Sequence, residues 1–329
     1  MTVDSLPRRV LAELLGLGRD MASDTEASRA VGYSLPRRVL AVLLGVSLPP
    51  RMPVAPGHKG DPAVSAFDTH GWRSNVGEVP GQGFAAPRTS ANQVRDMRFE
   101  VSANLIEDIY REILEPSFGP NELATLDAVL DGLAEGGSDE VWGLCALEGE
   151  TPVGCVLGYP YRESGVLLIA YLSVKPGFRG RGIGDLLMEE AQRRWYGTAD
   201  LVVAEIADPR HQPVVGGIDP KQCAAFYARR GAQVVVGPYF RPRLEGEGKK
   251  RIYDLFLIVL SGSGPDNSVP GGKLADFLLE YFRASGDSEN WPLSEDAEVN
   301  RLLAWYRSRQ MVRMNPIAEY AQIEFPRLN

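Results

Sequence analysis

The residues best suited to chemistry in this sequence lie in a short glycine-rich loop at positions 179–184, Arg-Gly-Arg-Gly-Ile-Gly. Glycines let an anion approach the backbone without meeting a Cβ atom. Successive backbone N–H groups in such a turn form a nest that suits a pyrophosphate. Arg179 and Arg181 add positive charge beside that backbone. The loop therefore predicts a site for a ligand that carries phosphate groups.

The segments on either side of the loop are the elements that would position it. Residues 166–174 are a continuous apolar run with β-branched members, which predicts a buried strand. After the loop, Leu187, Ala191 and Trp195 recur at helical spacing with charged residues between them, which predicts an amphipathic helix. The first N–H groups of a helix lack intrahelical partners and carry partial positive charge, so the helix start would itself attract an anion.

Two well-known phosphate loops fit this stretch poorly. It has no Gly-Lys-Ser/Thr ending, as a Walker A loop requires, and its spacing is not the G-x-G-x-x-G of dinucleotide-binding turns. It does match R-x-x-G-x-G through Arg179, Gly182 and Gly184. In this it resembles the acyl-CoA loop of the GCN5-related N-acetyltransferase (GNAT) superfamily, and the resemblance covers about residues 94–262. An ordinary strand-to-helix turn, whose glycines serve only packing, is the alternative.

A second stretch strengthens the resemblance. Residues 224–231, Ala-Ala-Phe-Tyr-Ala-Arg-Arg-Gly, are similar to the GNAT helix with Phe-Tyr-x-x-x-Gly that packs beside the bound thioester. In that family the tyrosine often protonates the departing CoA thiolate, so the resemblance implies Tyr227 as general acid. The alternative is that Phe226 and Tyr227 simply fill the core. The sequence departs from the family at Pro220, where many members carry an asparagine that helps to position CoA.

The resemblance implies acetyl-CoA as co-substrate and a primary amine as acceptor. The acyl-CoA-binding residues that it implies are Leu172, Ser173, Val174, Arg179, Gly180, Arg181, Gly182, Ile183, Gly184 and Asp185. The acceptor pocket is expected near Phe118, Asn121 and Arg241.

For the general base we select Glu205, because a desolvated carboxylate in an otherwise apolar strand makes a better base. Asp208, His211 and Glu163 are the other candidates. A Glu205 that pairs with an arginine or faces solvent, with a water chain as the base, remains an alternative.

The hydrophobic pattern predicts an α/β domain at 94–262, a mixed central sheet with flanking helices, which is the GNAT fold by resemblance. Residues 263–329 are predicted to be a helical C-terminal extension. Besides 166–174, the predicted strands are 97–101, 141–147, 152–159, 200–206, 233–236 and 251–260. The predicted helices, besides the one after the loop, are 105–114, 121–133, 221–230, 274–282 and 299–306.

The first fifty residues contain a repeat. Residues 5–16 return as residues 34–45 with one of twelve positions changed, and each copy has Ser, Pro and Gly where a short helix needs them. We interpret the copies as tandem docking motifs for a protein scaffold or shell, because two copies on one tether raise avidity. Packing of both copies on the parent domain is the alternative. Residues 51–93 are rich in Pro, Gly, Ser and Ala, and are predicted to be a disordered linker.

Composition limits the class of protein. The 329 residues are 44% hydrophobic and 24% charged, with a net charge of −8, which argues against a general nucleic-acid binder. We find no bilayer-spanning run and no signal-peptide pattern. Three cysteines show neither disulfide nor metal spacing, so we expect a cytoplasmic protein without a metal. The sequence favours an acyl-CoA-dependent N-acyltransferase. A cargo or adaptor protein and a longer-chain acyltransferase of a biosynthetic complex are the alternatives.

Overall fold

The computed structural model of the protein describes residues 93–134, 140–245, 248–285, 293–326 and 328. The strands are β1 (Gln93–Asp96), β2 (Trp142–Glu148), β3 (Thr151–Tyr161), β4 (Val166–Val174), β5 (Leu201–Ala207), β6 (Gln233–Val235), β7 (Leu255–Ser261), β8 (Ser268–Pro270) and β9 (Met311–Pro316). The α-helices are α1 (Ala103–Ile109), α2 (Leu126–Leu133), α3 (Ile183–Trp195), α4 (Pro220–Ala228), α5 (Gly271–Arg283) and α6 (Ala297–Arg307). The predicted docking repeats, and the predicted linker apart from Gln93, lie outside the described residues.

The strands form one sheet in the order β1-β2-β3-β4-β5-β7-β6-β9-β8. The pair β4 and β5 is parallel, and the other recorded strand pairs are antiparallel. The connection between the parallel strands is the glycine-rich loop followed by α3. The mixed α/β sheet with flanking helices that the sequence predicts is confirmed.

An irregularity in β4 opens the centre of this sheet. Tyr171 pairs with Leu157 and Ile169 pairs with Gly158, so Ala170 is an extra residue on β4, a β-bulge. Parallel pairing with β5 reaches Ile169 and stops there. Within the described residues, the edge of β4 from Ala170 onwards therefore has no strand partner on the β5 side. The two strands separate at the bulge and leave backbone donors and acceptors between them.

The two faces of the sheet carry different layers. On one face, α3 contributes Leu187, Ala191 and Trp195, and α4 contributes Tyr227, to a core cluster with Leu167 and Ile169 of β4. The helix α3 lies close to the sheet because Gly154 of β3 leaves room, since a Cβ atom there would lie 2.9 Å from Cγ2 of Ile183.

The opposite face is covered in two parts. Helices α1 and α2 cover one part, and α5 and α6 cover the other.

The C-terminal extension contains the two predicted helices and, in addition, two strands. The strand β9 pairs with β6, with Val234 opposite Asn315, and so extends the sheet. Val312 and Met314 of β9 are buried while the residues beside them are exposed, which is the alternation of a half-buried strand. The prediction of a wholly helical extension is therefore incomplete, because this alternation spans too few residues to stand out in the sequence.

Several other predicted boundaries differ from the structure, and the predicted strand at 97–101 is wrong, because those residues form turns and bends after β1. The first strand ends at Asp96, and Met97 lies in the turn that follows, where its N–H donates to the Gly143 carbonyl. The second helix begins at Leu126, because the Thr125 hydroxyl accepts from the Ala128 N–H at 3.3 Å.

Two cysteines face each other across the hairpin of β2 and β3. Cys145 and Cys155 lie directly opposite one another on β2 and β3, and both are free thiols in the core. None of the helices in the described part of the chain combines the length and apolar character that a membrane span needs.

Candidate functional site

The glycine-rich loop ends at Gly182, which is the N-cap of α3. Gly182 has φ +80°, a left-handed conformation that favours glycine, and no side chain caps the helix. Gly180 has φ +77°, and a Cβ atom there would meet nothing within 4 Å. The backbone N–H groups at the start of α3 therefore lie beside open space, with the partial positive charge of the helix end behind them. Such a nest fits a pyrophosphate.

The two arginines of the loop have different positions. The guanidinium of Arg179 donates to the Val174 carbonyl at 3.1 Å, the Gly216 carbonyl at 2.9 Å and the Ser117 hydroxyl at 3.2 Å. Arg179 thus ties the loop to the end of β4 and to two other segments. Arg181 is exposed, donates to the Gly177 carbonyl at 2.8 Å and lies over the Phe178 ring. Arg181 is the loop arginine whose charge is available to an anion.

The remaining predicted binding residues contact the protein itself. Some of them contact α4 and its end, and the others pack in the core around α3. Asp185, in the first turn of α3, pairs with Arg230, which lies just after α4, and Gly184 packs against the Phe226 ring of α4. The side chains of Leu172 and Val174 pack with α3, while Ile183 is buried beneath the helix start. These contacts fix α3, α4 and the strand end as one unit.

Ser173 belongs to a buried network that the sequence does not reveal. Its hydroxyl lies 2.7 Å from the Ser117 hydroxyl, which also donates to the Ile113 carbonyl at 2.6 Å and accepts from Arg179. Ser117 lies fifty-six positions earlier in the chain, so no local pattern connects the pair. Because the side chains of Ser173 and Arg179 are engaged in this way, the groups of this strand end that remain open to a ligand are backbone ones.

Tyr227 lies on α4, on the same face of the sheet as the loop. It is buried among Ala204 and Ile206 of β5 and meets the Phe226 ring edge-on at 5.1 Å. Burial raises the pKa of Tyr227 well above its ordinary value, so the phenol stays protonated. Within the described residues its hydroxyl makes no hydrogen bond. An uncommitted phenol at this place has a proton to donate.

Pro220, which stands where an asparagine is common in the resembled family, is the first residue of α4. Asp219 caps the helix by accepting from the Lys221 N–H at 2.9 Å. A proline suits that helical position, where its missing N–H would have had no partner. Cys223 of the same helix is packed, and burial raises its thiol pKa to about 11, which makes it a poor nucleophile.

Glu205 points to the opposite face of the sheet from Tyr227. Its carboxylate is buried and pairs with the Nε of Arg241 at 3.1 Å. The Tyr239 hydroxyl donates to the same carboxylate, and the Tyr281 hydroxyl lies 3.4 Å from each oxygen. The carboxylate is desolvated, as expected, but it is ion-paired, which is the alternative that the sequence left open. The oxygens of this carboxylate are thus engaged by an arginine and two phenols.

The other three base candidates are placed less favourably. Asp208 accepts both an Arg210 guanidinium contact at 2.7 Å and a contact from His211 at 3.3 Å. Arg210 in turn donates to the Ile323 carbonyl, so this group fastens the end of β5 to the C-terminal segment. Glu163 is exposed in the turn between β3 and β4, at the end of β4 away from the bulge.

Arg241, Tyr239 and Tyr281 are functional-site candidates that the sequence analysis did not connect with Glu205. Tyr281 lies seventy-six positions beyond it, in the C-terminal extension. A lone carboxylate in an apolar strand signals that a partner exists, but nothing local says which residue it is. Arg241 had been expected only as part of the acceptor-pocket wall.

A cavity lies over this cluster, on the face of the sheet opposite to the loop. It has a volume of about 200 Å³ and is lined by Arg241, by Ala170 and Tyr171 at the bulge, and by residues of α2 and α5. Phe118 lies beside it, with its ring 5.2 Å from that of Tyr171.

At the opening between β4 and β5, the anion nest therefore lies on the α3 face of the sheet and this cavity lies on the opposite face. Asn121 does not line the cavity, and its side-chain oxygen accepts from the Lys250 N–H at 3.1 Å. The described residues contain no group of three or more His, Cys, Asp or Glu side chains that could hold a metal ion.

The sequence and structure were compared with known proteins. Residues 106–213 match the model of the acetyltransferase (GNAT) family, which confirms the resemblance seen in the sequence. No curated protein matches the chain.

The chain is also similar to several solved structures. Ard1 from Thermoplasma volcanium is 20% identical, with 51% of this chain and 97% of that one covered and a TM-score of 0.36. A GNAT family acetyltransferase from Elizabethkingia anophelis with acetyl-CoA bound is 15% identical, with 37% and 76% covered and a TM-score of 0.28. An acetyltransferase from Streptococcus agalactiae 2603 is 15% identical, with 50% and 96% covered and a TM-score of 0.35.

The ion pair of Glu205 and Arg241 can be tested by stability. Replacing Glu205 by Gln leaves a buried arginine without its counter-charge, so we expect the free energy of unfolding to fall by about 3 kcal/mol. Glu163→Gln, which removes an exposed carboxylate, should change it by less than about 0.5 kcal/mol. Urea unfolding followed by circular dichroism measures both. Equal effects of the two substitutions would contradict the ion pair.

Proposed function

Because residues 106–213 match the acetyltransferase (GNAT) family, we propose that this protein is an acyl-CoA-dependent N-acyltransferase that moves an acetyl group from acetyl-CoA to a primary amine. One observation carries the proposal. The uncapped start of α3 lies at one end of the opening that the bulge at Ala170 creates between β4 and β5. A nest for a pyrophosphate thus leads directly to an unpaired strand edge.

The binding roles follow from which groups are open. The N–H groups of Gly180 to Asp185, with the charge of Arg181, are proposed to hold the pyrophosphate. Arg179 is proposed to act indirectly, by holding the loop against the end of β4. The backbone of Leu172, Ser173 and Val174 is proposed to pair with the pantetheine amides as an added strand would.

The chemistry that acetyl-CoA supplies when bound is an activated acetyl thioester. Backbone N–H groups at the bulge, around Ala170 and Tyr171, are proposed to polarise its carbonyl oxygen. A neutral amine in the cavity attacks the acetyl carbon and forms the new C–N bond, the C–S bond breaks, and the nitrogen loses its extra proton to water as the amide forms, which balances the proton that Tyr227 gives up. Tyr227 is proposed to give its proton to the leaving thiolate. Glu205 is proposed to hold Arg241 in place. The acceptor amine, which is an ammonium ion in water, is proposed to lose a proton to water before it attacks.

The donor site can be tested with one substitution in the nest. Gly182→Glu places a carboxylate and a strained left-handed residue where the pyrophosphate is expected, so acetyl-CoA should bind at least about tenfold more weakly in calorimetric titration. Gly149→Glu is the matched control, because Gly149 also has a positive φ, +62°, and open space beside it. It should bind acetyl-CoA normally. Failure of the wild-type protein to bind acetyl-CoA would overturn the proposed function.

The acid role of Tyr227 is testable in the same way. Tyr227→Phe keeps the packing but removes the proton, and should lower kcat by about 10²-fold while leaving acetyl-CoA affinity unchanged. Tyr196→Phe is the matched control, since Tyr196 is a neighbouring tyrosine whose pKa burial also raises. A thioester donor with a more acidic thiol should restore part of the loss. An unchanged kcat in Tyr227→Phe would leave this tyrosine with a packing role only.

The N-terminal repeats support a second, separate proposal. Two nearly identical copies at 5–16 and 34–45 favour a docking role, because two sites on one domain surface would rarely need the same sequence. We propose that they attach the enzyme to a protein scaffold or shell, as a cargo or adaptor segment does.

This docking role can be tested by deletion. Removing residues 1–50 should leave acetyl-CoA binding and turnover unchanged, and should reduce recovery of the scaffold in affinity capture from the source cells. Removing one copy should weaken recovery to an intermediate level. Equal recovery with and without the segment would rule out docking. The remaining alternative is transfer of longer acyl groups. Turnover measured with acyl-CoA donors of increasing chain length tests it.

A further inference from the structure

The cavity above the bulge has walls that come partly from outside the region matching the family, since seven of its seventeen lining residues lie beyond residue 213. Its floor includes Ala170 and Tyr171, where the acetyl carbon is proposed to lie. One wall is the C-terminal end of α5, with Tyr281 and Ala284, and this helix begins well beyond residue 213. The family match therefore does not imply the chemical character of the wall that this C-terminal segment contributes.

Most of the lining is apolar, and much of it consists of tyrosine rings. Four of them line the cavity: Tyr159, Tyr161, Tyr171 and Tyr281. The Tyr161 and Tyr281 rings lie 5.4 Å apart, and the Tyr159 and Tyr171 rings lie 6.3 Å apart. Aromatic rings arranged in this way offer faces and edges to another ring.

Two of the charged side chains that line the cavity, Arg241 and Glu140, are ion-paired with other residues of the protein. Arg241 on the floor is neutralised by Glu205, so the floor has no net charge. Glu140, on another side, is neutralised by Arg98 and Arg162.

The carboxylate of Glu280, which also lines the cavity, differs from these two. It accepts from the N–H groups of Glu163 and Ser164 at 3.1 and 2.9 Å and from the Ser164 hydroxyl at 2.7 Å, and no ion pair to it is formed within the described residues. An uncompensated anion beside an apolar interior attracts a cation towards it.

From these observations we infer that the cavity binds the acceptor, and that the acceptor is a primary amine carried on a single compact ring, an arylalkylamine. The inference rests on the proposed function, because it identifies the cavity with the acceptor side of that reaction. The volume agrees with the size of such a molecule. A cavity of roughly 150 Å³ lined by apolar side chains holds one benzene ring, so about 200 Å³ takes a ring with a short aminoalkyl arm.

Other classes of amine fit this cavity less well. A polyamine would place a second ammonium group among tyrosine rings, where burial of an unpaired charge is unfavourable. An aminosugar would bury several hydroxyl groups against a lining that is mainly apolar, and unpaired buried hydroxyls are unfavourable too. A small alkylamine enters but leaves the ring surfaces without a partner. An amine that carries a ring would be stabilised both by contact of its ring with the tyrosine rings and by attraction of its ammonium group to the Glu280 carboxylate.

The test is acetyl transfer to a panel of amines at saturating acetyl-CoA. The rate is measured from the CoA thiol that the reaction releases. We expect kcat/KM for 2-phenylethylamine to exceed that for ethylamine by at least about 50-fold, which is the effect of burying one ring. It should exceed the values for spermidine and for a lysine-containing peptide as well. Equal values for 2-phenylethylamine and ethylamine, or a preference for spermidine or the peptide, would overturn the inference.

A variant that fills the cavity tests whether the amine binds there. Ala284→Trp places a large ring at the rim, and should raise KM for 2-phenylethylamine at least tenfold while acetyl-CoA binds as in the wild type. Ala304→Trp is the matched control, because Ala304 is exposed on α6 and does not line the cavity. It should leave KM unchanged. An unchanged KM in Ala284→Trp would overturn the assignment of this cavity to the amine.

The failure of this inference can be told apart from failure of the proposed function. Titration of 2-phenylethylamine into the protein with CoA present measures binding without chemistry. Binding that is lost in Ala284→Trp, with no acetyl transfer to any amine, would support the cavity as an amine site and overturn the acetyltransferase proposal. Transfer to ringless amines alone would support the proposed function and overturn the inference.

Discussion

The site depends on one extra residue in a central strand. Ala170 interrupts the pairing of β4 with β3 by one position, and parallel pairing with β5 stops immediately before it. Backbone groups at the centre of a sheet are normally paired, because an unpaired buried donor or acceptor is unfavourable. Here the fold tolerates an opening at the place where a peptide-like ligand could restore the missing hydrogen bonds. The anion nest, the buried tyrosine of α4 and the tyrosine-lined cavity are all arranged around that opening.

The two faces of the sheet at this opening have different chemistry. The face with α3 and α4 has a helix start, an exposed arginine and a protonated phenol. The other face has a buried ion pair, Glu205 with Arg241, among tyrosines. Alternation of side chains along β5 is the reason for the division, since Ala204 and Ile206 point to the first face and Glu205 to the second. A donor and an acceptor that approach from opposite faces can meet without competing for the same contacts.

The sequence predicts the local parts of this arrangement well. The loop, the helix after it and the central strand are contiguous, so their periodicity and glycine pattern are enough to predict them. Long-range partners could not be predicted in this way. The network of Ser117 with Ser173, the pairing of Glu205 with Arg241, and the wall supplied by α5 each join segments far apart in the chain. Arg179 is instructive, because its motif position predicts a ligand contact whereas its guanidinium binds three groups of the protein.

The strand β9 has a consequence for how the protein meets other copies of itself. By pairing with β6, it occupies a backbone edge that would otherwise be open to a strand from a second molecule. The edge that replaces it is β8, which has three residues and ends at a proline, and the opposite edge is β1, with four residues. Such short strands offer few hydrogen bonds to an added chain. Edge-to-edge pairing through the described strands of this sheet is therefore disfavoured, and the C-terminal segment both extends the core and covers a backbone edge.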